Sequence, residues 1–154
     1  MDELKFAVIG NPVSHSLSPD IHLFFASQFQ LERYTYNKIK SNENDFERDI
    51  NDFFKNGGVG LNVTVPFKGL AYNLCDELDQ SAGLCKSVNT VLIDSGKLIG
   101  HSTDGQGLID DFLHKEITLE DSKILIIGAG GSAASIISSL LLHGKIKEIS
   151  ILNR

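Results

Sequence analysis

Leu61-Asn62-Val63-Thr64-Val65-Pro66-Phe67-Lys68-Gly69 reads as a strand that stops at a proline and delivers a lysine. Leu61, Val63 and Val65 are apolar at period two, and two of them are β-branched, which suits a strand. Pro66 has no backbone N–H, so strand pairing is expected to end there. Asn62, Thr64 and Lys68 then fall at or just past the strand's carboxyl end, the edge at which open α/β sheets bind ligands. An amide, a hydroxyl and an ammonium gathered there suit a small polyol or carboxylic acid. On this stretch alone, a solvated loop with an ordinary surface lysine is the favoured reading.

Working outward, Phe6-Ala7-Val8-Ile9-Gly10 is an apolar run ending in glycine, the pattern of a buried parallel strand. Ser18 before Pro19 predicts a helix start, with Ser18 as the capping hydroxyl and proline in the first turn. Ile21, Phe24, Phe25 and Phe29 form the apolar face of a helix over 19–30. Residues 34–39 read as a second strand. Phe46, Ile50, Phe53 and Phe54 mark a helix that stops at Gly57-Gly58. A further helix is expected over 68–78. Val88 to Ile93 and Lys97 to Gly100 flank Asp94-Ser95-Gly96, a hairpin signal. Thr103-Asp104-Gly105 closes the hairpin and opens a helix over 105–114. The polar stretch 116–122 reads as a boundary.

Beyond it, Lys123-Ile124-Leu125-Ile126-Ile127 reads as a buried strand, followed by Gly128-Ala129-Gly130-Gly131-Ser132-Ala133. Ile136, Ile137, Leu140 and Leu141 repeat at helical spacing up to Gly144, and residues 149–152 form the next strand. Gly128, Gly130 and Ala133 match G-x-G-x-x-A inside a βαβ unit, the context that makes this motif credible. Gly128 permits the tight turn, Gly130 lets the backbone approach a pyrophosphate, and Ala133 keeps helix and strand close. The helix N-terminus offers free N–H groups to phosphates. A plain tight turn is the alternative. Cofactor choice is read at the second strand's end, where an acid selects NAD and an arginine accommodates NADP. Asn153 and Arg154 stand there, and Glu148 lies at the wrong edge, so NADP is favoured.

The chain has 154 residues, 42% hydrophobic and 22% charged, ordinary values for a globular chain of one domain or one and a fraction. A net charge of −6 argues against a nucleic-acid partner. Cys75 and Cys85 make no disulfide framework and no C-x-x-C, so reduced thiols in a cytoplasmic protein are expected, Cys75 on a helix and Cys85 in a loop or short turn. Met1 to Lys5 has no apolar core of a signal peptide, and no apolar run reaches membrane-spanning length. His15, His22, His101, His114 and His143 show no ligand spacing, so no metal is expected.

Six motifs then resemble the shikimate dehydrogenases, in that family's order, over the whole chain. Gly10-Asn11-Pro12-Val13-Ser14-His15-Ser16-Leu17-Ser18-Pro19 is similar to their opening signature. Asn62-Val63-Thr64-Val65-Pro66-Phe67-Lys68 is similar to their catalytic-lysine segment. Val88-Asn89-Thr90 and Thr103-Asp104-Gly105 resemble the next two. Residues 128–133 and Asn153-Arg154 resemble the NADP-binding turn and the basic motif after the following strand. Two local departures are Ser102, where the family usually has asparagine, and Lys86-Ser87, where it usually has Gly-Ala.

The resemblance implies an amino-terminal α/β substrate domain with a mainly parallel sheet over 1–104. A connecting helix and linker over 105–121 would lead into the first half of a Rossmann NADP-binding domain over 122–154. It implies interconversion of 3-dehydroshikimate and shikimate with NADP in chorismate and aromatic amino-acid biosynthesis. Ser14 and Ser16 would hold the substrate carboxylate, and Thr64, Asn89 and Asp104 its hydroxyls. Lys68 and Asp104 would be the catalytic pair, also touching substrate. Gly128, Ala129, Gly130, Gly131, Ser132, Ala133, Asn153 and Arg154 would bind cofactor. Hydride delivery to a ketone leaves negative charge on oxygen, and a lysine ammonium held by a carboxylate can stabilise and protonate it. The family is monomeric or homodimeric, and the residues do not choose. The chain counts one βαβ where a dinucleotide fold uses two βαβαβ halves. A fragment of a longer enzyme is therefore expected, inactive alone, with unpaired strand edges and poor solubility. A truncated shikimate-binding protein and an NAD-using quinate or shikimate dehydrogenase are the other readings.

Overall fold

The computed structural model describes residues 3–154; the reading of Met1 and Asp2 lies outside them. The described residues form eight strands and six helices: β1 (Leu4–Gly10), α1 (Ser18–Gln28), β2 (Tyr34–Lys40), α2 (Phe46–Lys55), β3 (Gly58–Val63), α3 (Lys68–Leu74), β4 (Glu77–Leu78), α4 (Gln80–Cys85), β5 (Thr90–Asp94), β6 (Lys97–His101), α5 (Asp104–His114), β7 (Lys123–Ile127), α6 (Gly131–His143) and β8 (Glu148–Leu152). Six strands form one sheet in the order β2-β1-β3-β5-β6-β4, and β7 pairs with β8 in a second. β1 runs parallel to β2 and β3, and β4 runs parallel to β6. β5 pairs antiparallel with β3 and, through the hairpin at Asp94 and Lys97, with β6. The sheet is thus mixed, with the parallel pairings in the majority. The chain is α/β, as expected.

One face of the first sheet carries the main core. Ala7, Ile9, Leu61, Val63 and Val91 point into it and meet Phe46, Ile50 and Phe54 of α2, with Phe67, Ala71 and Ala82 closing the side. The alternation of a strand sends Val8 to the opposite face, where Val13 and Tyr36 cover it. α1 lies on that second face, and its His22 ring stacks on Tyr36 at 4.4 Å. A third cluster joins Ile109 of α5, Leu119 and Leu140 of α6, with Ile124, Ile126 and Ile149 packed against it.

Several expectations change. β3 itself ends at Val63, but its backbone bonding to β1 runs on to Val65, with Thr64 N–H donating to Ile9 O and Asn11 N–H to Val65 O, so pairing stops at Pro66 as expected. Val65 is accordingly exposed. Ser18 is not the cap of α1; it lies inside the helix, and the hydroxyl of Ser16 accepts its N–H. Of α1, Ala26 is buried, while Ile21, Phe24, Phe25 and Phe29 are exposed, since the helix leans on the sheet with its other side. The helix expected over 68–78 ends at Leu74, because Asp76 N–H and its carboxylate bond to Leu98 and draw the chain alongside β6. Cys75 therefore caps α3 and Cys85 closes α4, whose start is fixed by the Asp79 carboxylate accepting Ala82 N–H. The polar stretch 116–122 also contributes a buried Leu119 to the third cluster. β7 was expected to be buried, yet Leu125 and Ile127 are 61% and 78% exposed, because α6 covers one face only.

Candidate active site

The carboxyl ends of β1 and β3 lie side by side, and the loops that leave them build the site. Gly10 makes this approach possible, since a Cβ there would collide with the Thr64 side chain. Val88 N–H donates to Lys68 O, and Val63 N–H to Asn89 O, so the start of α3 and the entry to β5 are tied together. Asn89 N–H donates to His101 O, which brings the end of β6, and with it Thr103 and Asp104, to the same point.

Lys68 and Asp104, 36 residues apart, meet there: Lys68 Nζ lies 2.5 Å from Asp104 Oδ2. The pair is mostly shielded, with side chains 16% and 32% exposed. Asn89 Nδ2 donates to the other carboxylate oxygen at 2.5 Å, so both oxygens of Asp104 are held. Asn89 Oδ1 in turn accepts from Thr103 N–H and from the Thr90 hydroxyl. Asn62 continues the chain of bonds, donating to Thr90 Oγ1 and accepting from the Tyr36 hydroxyl at 2.7 Å. Burial pushes the Tyr36 phenol up to about 12, against a weaker opposing bond from Ser18, so it remains a donor at neutral pH. Burial lowers His22 from its ordinary value. The network has no orphaned polar atom, because no buried side-chain N or O among the described residues lacks a partner.

Asn62, Lys68, Asn89, Thr103 and Asp104 of this network line a cavity of about 410 Å³. Ser16, Thr64, Lys68, Asn89 and Asp104 are on its wall. Ser14 is not; it is exposed, and its carbonyl accepts from Lys38 Nζ. Ser18, His22 and Thr103 also face the cavity, and Tyr36 supports it from behind, roles the sequence reading did not assign. Tyr36 was visible only as one member of a strand, and Ser18 only as a helix start.

A second cavity, about 550 Å³, adjoins the first through Val65 and Lys68, which line both. Gly128, Gly130, Gly131, Ser132 and Ala133 form its far wall. Gly128 has φ +113°, which only glycine adopts without strain. No side chain caps the start of α6, no acid occupies its first turn, and added Cβ atoms on Gly128 or Gly130 would meet nothing within 4 Å. Free N–H groups at a helix N-terminus with open space before them fit a dinucleotide pyrophosphate. Gly128 N–H donates to Leu152 O, so the end of β8 adjoins this loop, and Asn153 and Arg154 follow directly. Ala129, Asn153 and Arg154 do not line the cavity itself. Among the described residues, no group of three or more His, Cys, Asp and Glu is placed to hold a metal, and no helix is long and apolar enough to cross a membrane.

A mixed α/β sheet whose strand ends carry a polar cavity, adjoined by a strand, glycine loop and helix, defines a ligand-binding α/β protein with a nucleotide-type turn. The chain belongs to the family described as the shikimate dehydrogenase substrate binding domain, which residues 8–91 match. It is 43% identical over 150 residues to the NADP(+) shikimate dehydrogenase of Acinetobacter baylyi, a match covering 97% of this chain and 56% of the relative. The corresponding protein of Acinetobacter baumannii is 45% identical over the same shares. Among solved structures, shikimate 5-dehydrogenase from Listeria monocytogenes, in complex with shikimate and NAD, superposes with a TM-score of 0.92 at 34% identity, over 99% of this chain and 52% of that one. The chain spans about half the length of the curated relatives it matches.

Proposed function

We propose that the chain carries the amino-terminal portion of an NADP-dependent shikimate dehydrogenase, which reversibly reduces 3-dehydroshikimate to shikimate in chorismate and aromatic amino-acid biosynthesis. The observation that carries this reading is the position of Lys68, bonded to Asp104 on the wall common to the two cavities. Residues 1–104 act as the substrate unit, 105–121 as the connection and 122–154 as the start of the nucleotide unit. Shikimate occupies the smaller cavity, with its carboxylate toward Ser16 and the loop of Ser14 and its hydroxyls toward Thr64, Asn89 and Asp104. The glycine loop takes the cofactor pyrophosphate, and Arg154 the additional phosphate that distinguishes NADP.

Bound NADPH supplies the hydride to the substrate carbonyl. Lys68 faces the oxygen on which charge then develops, stabilises it and gives it a proton; in the reverse direction it accepts that proton. Asp104 aims the amine through Oδ2, and Asn89 fixes the carboxylate through Oδ1. Tyr36 and Asn62 hold this arrangement from below, so little reorganisation is needed at the moment of reaction.

The test is NADP-linked oxidation of shikimate by the complete gene product containing this chain, with shikimate affinity measured in parallel by calorimetry. Turnover is expected, and Lys68→Ala should lower kcat by about 10²–10⁴-fold while leaving shikimate affinity within a few-fold. Shikimate binding without turnover in the unaltered protein would favour a non-catalytic shikimate-binding protein. Absence of both sinks the reading.

A further inference from the structure

The wall that faces the glycine loop carries a second cation. α4 ends at Lys86, whose φ of 50° and ψ of 41° lie in the left-handed region usually given to glycine at this position of a helix terminus. The side chain is exposed and, among the described residues, makes no hydrogen bond or ion pair. It lines the 550 Å³ cleft beside Lys68 and Ser87. The cleft is narrow there, since a Cβ on Gly131 would come within 3.7 Å of Ser87 Oγ. No aspartate or glutamate lines it, although the chain as a whole carries a net charge of −6. Lys68 is already balanced by Asp104, but the Lys86 ammonium shares the cavity with the uncapped start of α6 and has no negative group on that wall to balance it. Such a concentration of positive potential is matched by an anion lying between the walls.

We propose that Lys86 binds the pyrophosphate of the dinucleotide from the side opposite the glycine loop, so that the phosphates are gripped between α4 and α6. This rests on the reading of the cleft as a cofactor site. It assigns a binding role to a residue that departs from the family's usual glycine. The grip is electrostatic and acts on the part common to NADP and NAD. Arg154, beyond the end of β8, acts on the part that differs.

Lys86→Gly removes the ammonium while suiting the left-handed backbone, so the variant should melt no lower than the unaltered chain. Calorimetric titration with NADP and with NAD of the complete gene product containing this chain, unaltered and as Lys86→Gly, reads the effect. Lys86→Gly is expected to weaken the two dinucleotides by the same factor, about tenfold, with the difference shrinking as salt is raised, and Lys86→Arg should restore most of the loss. Equal affinities for the unaltered chain and Lys86→Gly would overturn the inference while leaving the cofactor site standing. Weakening of NADP alone would place Lys86 on the distinguishing phosphate and overturn the pyrophosphate assignment. Failure of the unaltered complete gene product to bind either dinucleotide would overturn the cofactor reading, and this inference with it.

Discussion

The strands of the six-stranded sheet and those of the two-stranded sheet are built from similar aliphatic runs, yet they end in different surroundings. β1 is flanked by β2 and β3 and lies between α1 and α2, so Ala7, Val8 and Ile9 are all buried. β7 has β8 on one edge and α6 on one face, so Ile124 and Ile126 pack inward while Leu125 and Ile127 face solvent. The cavities follow the same division. The smaller one is braced by bonds between its own side chains, from Tyr36 through Asn62, Thr90 and Asn89 to Asp104 and Lys68. The larger one presents free N–H groups and unpaired ammonium. A site already satisfied by its own walls holds a fixed shape for a ligand, whereas one with unspent donors draws its order from the ligand it receives.

That contrast can be broken most forcefully at Phe67, which is 1% exposed and packs its ring on Phe46 at 4.9 Å. Phe67→Ala should cost about 3–5 kcal/mol in urea unfolding; a cost below about 1 kcal/mol would mean that the first core is not closed. Cys75 sharpens the comparison by chemistry. Burial, with a smaller contribution from Asp76, raises its thiol from 9.0 to about 11. The folded state therefore disfavours the thiolate: this contribution to stability is fully present below pH 9 and is lost as pH rises toward 11. Alkylation of Cys75 by iodoacetamide below pH 9, read by peptide mass, should run about 100-fold slower in the folded chain than in urea. Equal rates would show that the α3–β6 corner opens readily. The smallest effect is expected at Ile127. Ile127→Ser should change stability by no more than about 0.5 kcal/mol, measured by thermal melting. A loss of 2 kcal/mol would reveal that the outer face of β7 is covered in solution.

Local chemistry explains what could be read from the residues alone. The glycine loop is a matter of turn geometry within a few residues, so Gly128 and the strand and helix around it were legible. Lys68 and Asp104 were legible as polar ends of strands, but their meeting depends on β5 and β6 lying beside β3, which no spacing encodes. β4 and α4 were missed because two and six residues give no period; the one signal was Asp79, a capping carboxylate three residues before Ala82. The strand at 123–127 was read as fully buried because Lys-Ile-Leu-Ile-Ile has no polar alternation. A run apolar on both faces cannot say how many layers cover it. The aromatic side of α1 misled for a related reason, since three phenylalanines mark a helix face without naming what lies against it.

Lys68 stands in two walls at once, and this has a thermodynamic corollary. Whatever free energy one occupant adds to that ammonium is felt by the occupant of the neighbouring cavity, and a closed cycle requires the effect to be equal in both directions. Any change that filling one chamber makes in the affinity of the other through this side chain is therefore matched by the same factor in the opposite direction.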